Sequence, residues 1–295
     1  MRPLVASAVL LIIFTTSVFA ASEKLDTARI DELTGLKGKL DEKEQVYKVS
    51  APRSDLKVLS KTVRITPPMG LTSWAAFTRA GKQTMVMGDL VLEEDQVSSV
   101  MDVALGSGLE VTALHNHFLW ESPIVMFMHV GGMGDEAELA TAVGKVFAKI
   151  KESSGNGNEW KTADIDPQHT TLDPKRVDAI LGAKGDFKDG VYKVTFGRTT
   201  RMHGHEIGNQ MGVNTWMALI GSEDTAFADG DFAMLESELQ PVLKKLRVAG
   251  INIVAIHQHM TGEEPRIMFL HYWGIGRAED LAKGVRTALD VTKTK

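Results

Sequence analysis

The feature that most constrains the fold is a block that occurs twice at a fixed offset of 142 residues. Residues 113–134 read Ala-Leu-His-Asn-His-Phe-Leu-Trp-Glu-Ser-Pro-Ile-Val-Met-Phe-Met-His-Val-Gly-Gly-Met-Gly, and residues 255–276 repeat the pattern without a gap, with ten of 22 positions identical. The identical positions pair His115 with His257, His117 with His259 and His129 with His271, so six of the nine histidines lie in the two copies. Glu121 and Glu263, Pro123 and Pro265, and Phe127 and Phe269 are kept as well. The likeness extends outward. Leu25–Gly35 resembles Leu172–Gly182, Gln45-Val-Tyr-Lys-Val matches Gly190-Val-Tyr-Lys-Val, and Gly88-Asp89-Leu90 matches Gly230-Asp231-Phe232. Self-similarity over this span marks a tandem duplication, in which each half is one supersecondary unit.

The organisation that follows is a first repeat over 22–150, a linker over 151–170 and a second repeat over 171–295. The linker holds Ser153-Ser-Gly-Asn-Gly-Asn158, a polar, glycine-rich run. Residues 1–20 read as a signal peptide: Arg2 precedes an apolar run from Leu4, and Val18-Phe19-Ala20 is a small-residue exit. This places the mature chain in the periplasm or outside the cell, with no transmembrane segment of its own. With no cysteine, thiolate metal sites and thiol nucleophiles are excluded. A formal charge of −5 gives no basic footprint, so nucleic acid is not an expected partner.

Within each half the periodicity predicts α+β structure. In the first, Thr27–Leu33 reads as a short helix closed by Gly35, Thr84–Leu92 as an apolar strand, and Val97, Val100, Met101, Ala104 and Leu105 as one helix face. Glu110–Leu119 and Pro123–Val130 read as a hairpin turning at Trp120-Glu-Ser, and residues 135–147 as an amphipathic helix. Strand, helix, hairpin, helix is a split β-α-β arrangement of the ferredoxin-like kind. Two such halves with mainly antiparallel strands, side by side, is the expected architecture, either sharing a sheet or standing as two independent α+β domains.

The histidines carry the chemistry. His115 and His117 lie two apart on a strand and so leave the same face. A turn centred on Ser122 places His129 directly across from His115, and a turn centred on Glu264 places His271 across from His257. Three converging imidazoles with an open position form a zinc-binding pattern, and neutral imidazole is the commonest metal-ligating side chain. The competing reading makes them core histidines bonded to their neighbours. The second half adds His203 and His205 with Glu206, at positions where the first half has Lys61, Val63 and Arg64. That half is therefore expected to hold the richer metal set, with Glu263 or Glu206 as candidate general base on a metal-bound water. Asp89 and Asp231 read as strand-ending or helix-capping residues, and Trp74 and Trp216 as core residues or pocket lining. Gly131-Gly-Met-Gly134 reads as a strand-to-helix turn able to hold an anion on its free amides. Fourteen methionines beside histidines, with no cysteine, also suit copper.

No H-E-x-x-H, phosphate loop or G-x-S-x-G occurs. The repeated A-L/I-H-x-H…E-x-P-x-x-M-F-x-H…G-x-G block, with Gly70-Leu-Thr-Ser-Trp-Ala-Ala-Phe77 and Met87-Gly-Asp-Leu-Val-Leu92 before it, resembles the LppY/LpqO-type family of exported bacterial proteins, built on a domain of unknown function. The resemblance covers nearly all of the mature chain and implies export and a repeated histidine block, but no reaction. The absence of cysteine sets this chain apart from the lipoprotein members. The expectation is thus an exported protein that binds zinc or another divalent metal through duplicated His-x-His hairpins and, if it is an enzyme, a metal-dependent hydrolase. The alternative is a non-catalytic binding protein for copper, a small molecule or an envelope ligand.

Overall fold

The computed structural model describes residues 24–154 and 164–292; the expected signal segment and the centre of the expected linker lie outside the described residues. In the first repeat the sheet strands are β1 (Lys39–Asp41), β2 (Val46–Pro52), β3 (Thr72–Ala80), β4 (Gln83–Glu93), β5 (Glu110–Asn116) and β6 (Val125–Gly134). Those of the second are β7 (Asp186–Lys188), β8 (Val191–Gly197), β9 (Asn214–Gly221), β10 (Ala226–Leu235), β11 (Asn252–His257) and β12 (Ile267–Gly276). All twelve form one antiparallel-paired sheet in the order β1-β2-β3-β4-β6-β5-β11-β12-β10-β9-β8-β7. The order reads the same from either edge once each strand is replaced by its repeat counterpart.

Helices α1 (Thr27–Thr34), α2 (Glu94–Gly106), α3 (Glu136–Ser153), α4 (Pro174–Leu181), α5 (Leu239–Val248) and α6 (Ala278–Leu289) pack in a layer ordered α1-α3-α2-α5-α6-α4. The fold is therefore α+β in two similar halves. The β4-α2-β5 connection is split, because β6 lies between β4 and β5 and pairs antiparallel with both. The strand β3 that completes each half precedes this unit and joins β4 by a hairpin.

Local sequence explains the helix ends. Asp26 and Asp173 accept from the amides of Arg29 and Lys175, and Gly35 and Gly182 end α1 and α4 in the left-handed conformation. Strand alternation then divides the faces. Val86, Leu90, Val111, Leu114, Met128 and Val130 are buried under the helices, whereas Met87, Asp89 and His129 point the other way, where exposure is intermediate to high. Two small hairpins cover one end of the second face in each half. Leu59–Ser60 and Val63–Arg64 pair with each other and the first strand pairs with Glu121–Ser122; Thr200–Met202 pairs with His205–Ile207, and Arg201 bridges Glu264.

The halves join at a single ladder pair, Leu114 with Ile256, each the repeat counterpart of the other. A pseudo-twofold axis passes through this pair. Beyond it, side chains continue the bonding: Gln240 donates to the Val111 carbonyl (2.8 Å) and accepts from the Val111 amide (3.0 Å). Arg247 makes a two-point contact with Asp102 at 2.8 and 3.0 Å.

The run Gly131–Gly134 is not the expected turn. It lies inside β6, and the amides at the start of α3 are taken by the Asp135 side chain, which accepts from Ala137 and Glu138. Close packing accounts for one of these glycines: a Cβ on Gly132 would sit 3.0 Å from Leu139 Cδ2. The matched Gly88 and Gly230 have a similar cause. A Cβ on Gly230 would meet the Trp216 carbonyl oxygen and the Tyr272 ring, whose hydroxyl donates to that same carbonyl at 3.0 Å. Gly230→Ala is expected to cost about 1–3 kcal/mol by overpacking. Gly88→Ala should cost less, since its methyl meets the Trp74 oxygen at 2.8 Å and the terminal methyl of Val130 at 3.0 Å. Urea denaturation of the two variants measures the difference.

Candidate metal centre

Asp231 lies in the middle of β10, directly opposite Trp216 on one side and His271 on the other. It is 4% exposed. The structure thus corrects the reading of Asp89 and Asp231 as strand ends or helix caps: both sit within long strands, with their carboxylates on the open face. His259 Nε2 lies 3.3 Å from Asp231 Oδ2, and His271 Nδ1 3.8 Å from Oδ1. One ligand atom each from Asp231, His257 and His259 all fall within 4.8 Å of one another, the one such group among the described residues.

The expected hairpin register is shifted. His115 pairs with Phe127 and His129 with Ala113; in the second half His257 pairs with Phe269 and His271 with Ala255. The slip is two residues, because the chain after each histidine strand makes a longer excursion to meet the covering hairpin. Side-chain period is also two, so all three imidazoles keep the same face and meet diagonally rather than directly. The third histidine rests on an aromatic shelf. His259 stacks on Phe269 with centroids 3.5 Å apart, and His117 on Phe127 at 3.7 Å. This is why the Met-Phe step recurs in both copies.

Burial sets the electrostatics. Desolvation raises the Asp231 carboxyl above its ordinary pKa, opposed by the neighbouring His271, His259 and His257. Desolvation lowers the His257 imidazole, helped by His271 and opposed by Asp231. Asp231 Oδ1 and His257 Nε2 are both buried without a hydrogen-bond partner among the described residues. These residues could hold a cation, which would compensate the carboxylate and take the lone pair of a neutral imidazole.

The first repeat has the same residue types in a different state. His129 Nε2 is 3.1 Å from His115 Nε2 and 3.9 Å from Asp89 Oδ1, so two imidazoles satisfy each other. The Asp89 side chain is 13% exposed, against 6% for Asp231.

Residues 28–149 and 175–291 each match the family described as Domain of Unknown Function (DUF1259). The chain belongs to that family. No curated protein matches it. Among solved structures, a trimeric bacterial microcompartment shell protein, PduB, shares 11% identity over 86% of this chain and 89% of its own, with a TM-score of 0.20. Aspartate kinase from Synechocystis shares 9% over 72% of this chain and 40% of its own, with a TM-score of 0.14. Scores this low carry no argument about fold or activity.

Within the second DUF1259 domain, the extra pair His203 and His205 does not join the centre. His203 occupies the hairpin tip with φ of 51°, and His205 and Glu206 are exposed on the returning strand. Glu263 is buried and accepts from the Ile267 amide at 3.2 Å, which ties its carboxylate to the start of β12. Its counterpart Glu121 accepts from Asn116 Nδ2 at 3.5 Å. Trp74 and Trp216 lie half-buried on the open face rather than in the core, with Lys48 Nζ 3.9 Å and Lys193 Nζ 3.8 Å above their rings. The member of this group that the sequence reading did not place with the histidines is Asp231; a lone acid repeated inside an otherwise apolar strand is the signal that marks it.

The raised pKa of Asp231 has a measurable consequence. The folded, metal-free protein holds this proton more tightly than the unfolded chain does. Stability from this group is therefore lost as pH rises from its ordinary value of 3.8 through the raised one. Asp231→Asn is expected to stabilise metal-free protein at about pH 8, with the gain shrinking as pH falls toward the acid range. Thermal melts of the two proteins across pH check this, and an Asn variant less stable than wild type at the alkaline end contradicts it.

Proposed function

We propose that this chain is a metal-binding protein whose second repeat holds a divalent cation on Asp231, His257 and His259, with zinc favoured. The observation that carries the reading is the buried Asp231 carboxylate, whose Oδ1 lacks a partner while two imidazoles converge on it. Two imidazoles and one carboxylate suit catalytic zinc, and non-haem iron(II) uses the same donors. His271 is 48% exposed beside this group, so one side of a bound cation faces solvent. A cation held by these residues would supply Lewis-acid chemistry, and His271, beside the group, would hold or move a proton there. The reaction class is hydrolysis of a polar small molecule or envelope-derived substrate. The N-terminal signal pattern and the LppY/LpqO-type resemblance support action outside the cytoplasm, with cleavage after Ala20.

Metal analysis of purified, repleted protein is expected to find about one zinc or iron per chain. His257→Ala/His259→Ala should abolish uptake, and Asp231→Asn should weaken it at least about tenfold. Less than about 0.2 metal per chain in the wild type removes the reading. Esters and phosphoesters offered with zinc test the hydrolytic step, and activity that survives loss of His257, His259 and His271 contradicts this site.

A further inference from the structure

The two repeats differ most on the open face just beyond the aspartates. In the second repeat these positions are Phe227, Asp229, Trp273 and Ile275; in the first they are Met85, Met87, Gly131 and Met133. Three thioethers thus replace an aromatic and acidic surface. The register of β4 and β6 opposes Met85 to Met133, Met87 to Gly131 and Asp89 to His129. All have the same strand parity, so their side chains share one face. Directly opposed Cβ atoms lie about 4.5–5.5 Å apart and diagonal ones about 7–8 Å, within reach of a long side chain.

Gly131 contributes no side chain. This opens a gap on β6 between Met133 and His129, and Met87 is the residue facing it. Met87 is 59% exposed and Met133 58%, so both are free to turn into that gap. His129 is already oriented. Its Nε2 is engaged by His115 at 3.1 Å and lies 3.9 Å from Asp89, while its Nδ1 makes no hydrogen bond among the described residues. His129 lies four residues from Met133 on the same strand, about 13 Å away, so it stands beside the methionine cluster rather than in it.

We propose that Met85, Met87 and Met133 form a cuprous-ion site of three thioethers in the first repeat. Thioether sulfur is soft and uncharged, and selects Cu(I) over zinc. The chain has no cysteine to compete for the ion. The ion enters and leaves as Cu(I), so no electron transfer is involved. The site uses β4 and β6 alone and stands independently of the divalent site at Asp231.

Anaerobic titration of the whole metal-free chain with Cu(I), against a chromophoric cuprous chelator, tests the proposal. Wild type is expected to withhold about one Cu(I) per chain, with sulfur in the copper X-ray absorption shell. Met87→Leu/Met133→Leu should weaken Cu(I) binding at least about tenfold and leave zinc uptake unchanged, because leucine keeps volume and apolarity but removes the sulfur. Asp231→Asn should leave Cu(I) binding intact while weakening zinc. The proposal is overturned if wild type withholds no Cu(I), if the double leucine variant binds it as wild type does, or if copper sees only nitrogen and oxygen. Loss of Cu(I) with Asp231→Asn alone would also overturn it, by moving the ion to the second repeat.

Discussion

The structure depends on one strand pairing: β5 laid antiparallel against its own counterpart β11, with Leu114 facing Ile256. Either half alone would end in an open edge strand, with unpaired amides exposed to any other chain. Pairing the two edges closes both and fuses the halves into one sheet. The ladder itself is short there, and the Gln240 amide and the Arg247–Asp102 pair extend it. A strand that pairs antiparallel with a copy of itself is also the natural seam of a twofold dimer. Joining the copies in one chain makes that encounter intramolecular. The same pairing positions the chemistry. His115 and His257 each lie one residue past the axial pair, in opposite directions, so both histidine sets come to the helix-free face on either side of the axis.

Much of this was legible because it rests on local rules. The 142-residue offset implied two similar halves, and the helices with aspartate at the start and glycine at the end fell where those caps require. The face of each histidine followed from a period of two and survived a register error of the same size. The error arose because a hairpin centre inferred from sequence spacing assumes the tightest turn, whereas residues 117–124 leave the sheet to meet a second hairpin, Glu121–Ser122 lying against Leu59–Ser60. Three further misreadings share one physical cause, that side-chain role depends on neighbours distant in sequence. Gly131–Gly134 continues a strand because Leu139 and its helix lie close above it. His203 and His205 ride on an exposed hairpin, so counting histidines overstated their part. Asp89 and Asp231 are seen to belong with the histidines only when His129 and His271 are known to lie alongside.

The two halves show how one backbone supports two chemistries. The Asp–His lateral pair is kept in both, and the difference lies in what else satisfies the imidazoles. In the first half, His115 and His129 bond each other, so one nitrogen of each is spent within the protein. In the second, the His257 and His271 rings are tilted with centroids 4.4 Å apart, and His257 Nε2 remains without a partner. Beside it Asp231 is more deeply buried than Asp89 and its carboxyl is pushed up. A buried carboxylate without full compensation opposes folding, and an apolar residue of similar size would relieve that cost. An acid kept in such a place supports the proposed cation site, since the bonds unmet among the described residues are ones a cation would fill. The first half keeps an orphaned carboxylate oxygen too, Asp89 Oδ1, but its imidazoles bond each other, and its open face is apolar and sulfur-rich where the second is aromatic and acidic. The divergence therefore lies in the side chains: a deeply buried carboxylate beside imidazoles that do not bond each other on one side of the axis, thioethers and mutually bonded imidazoles on the other.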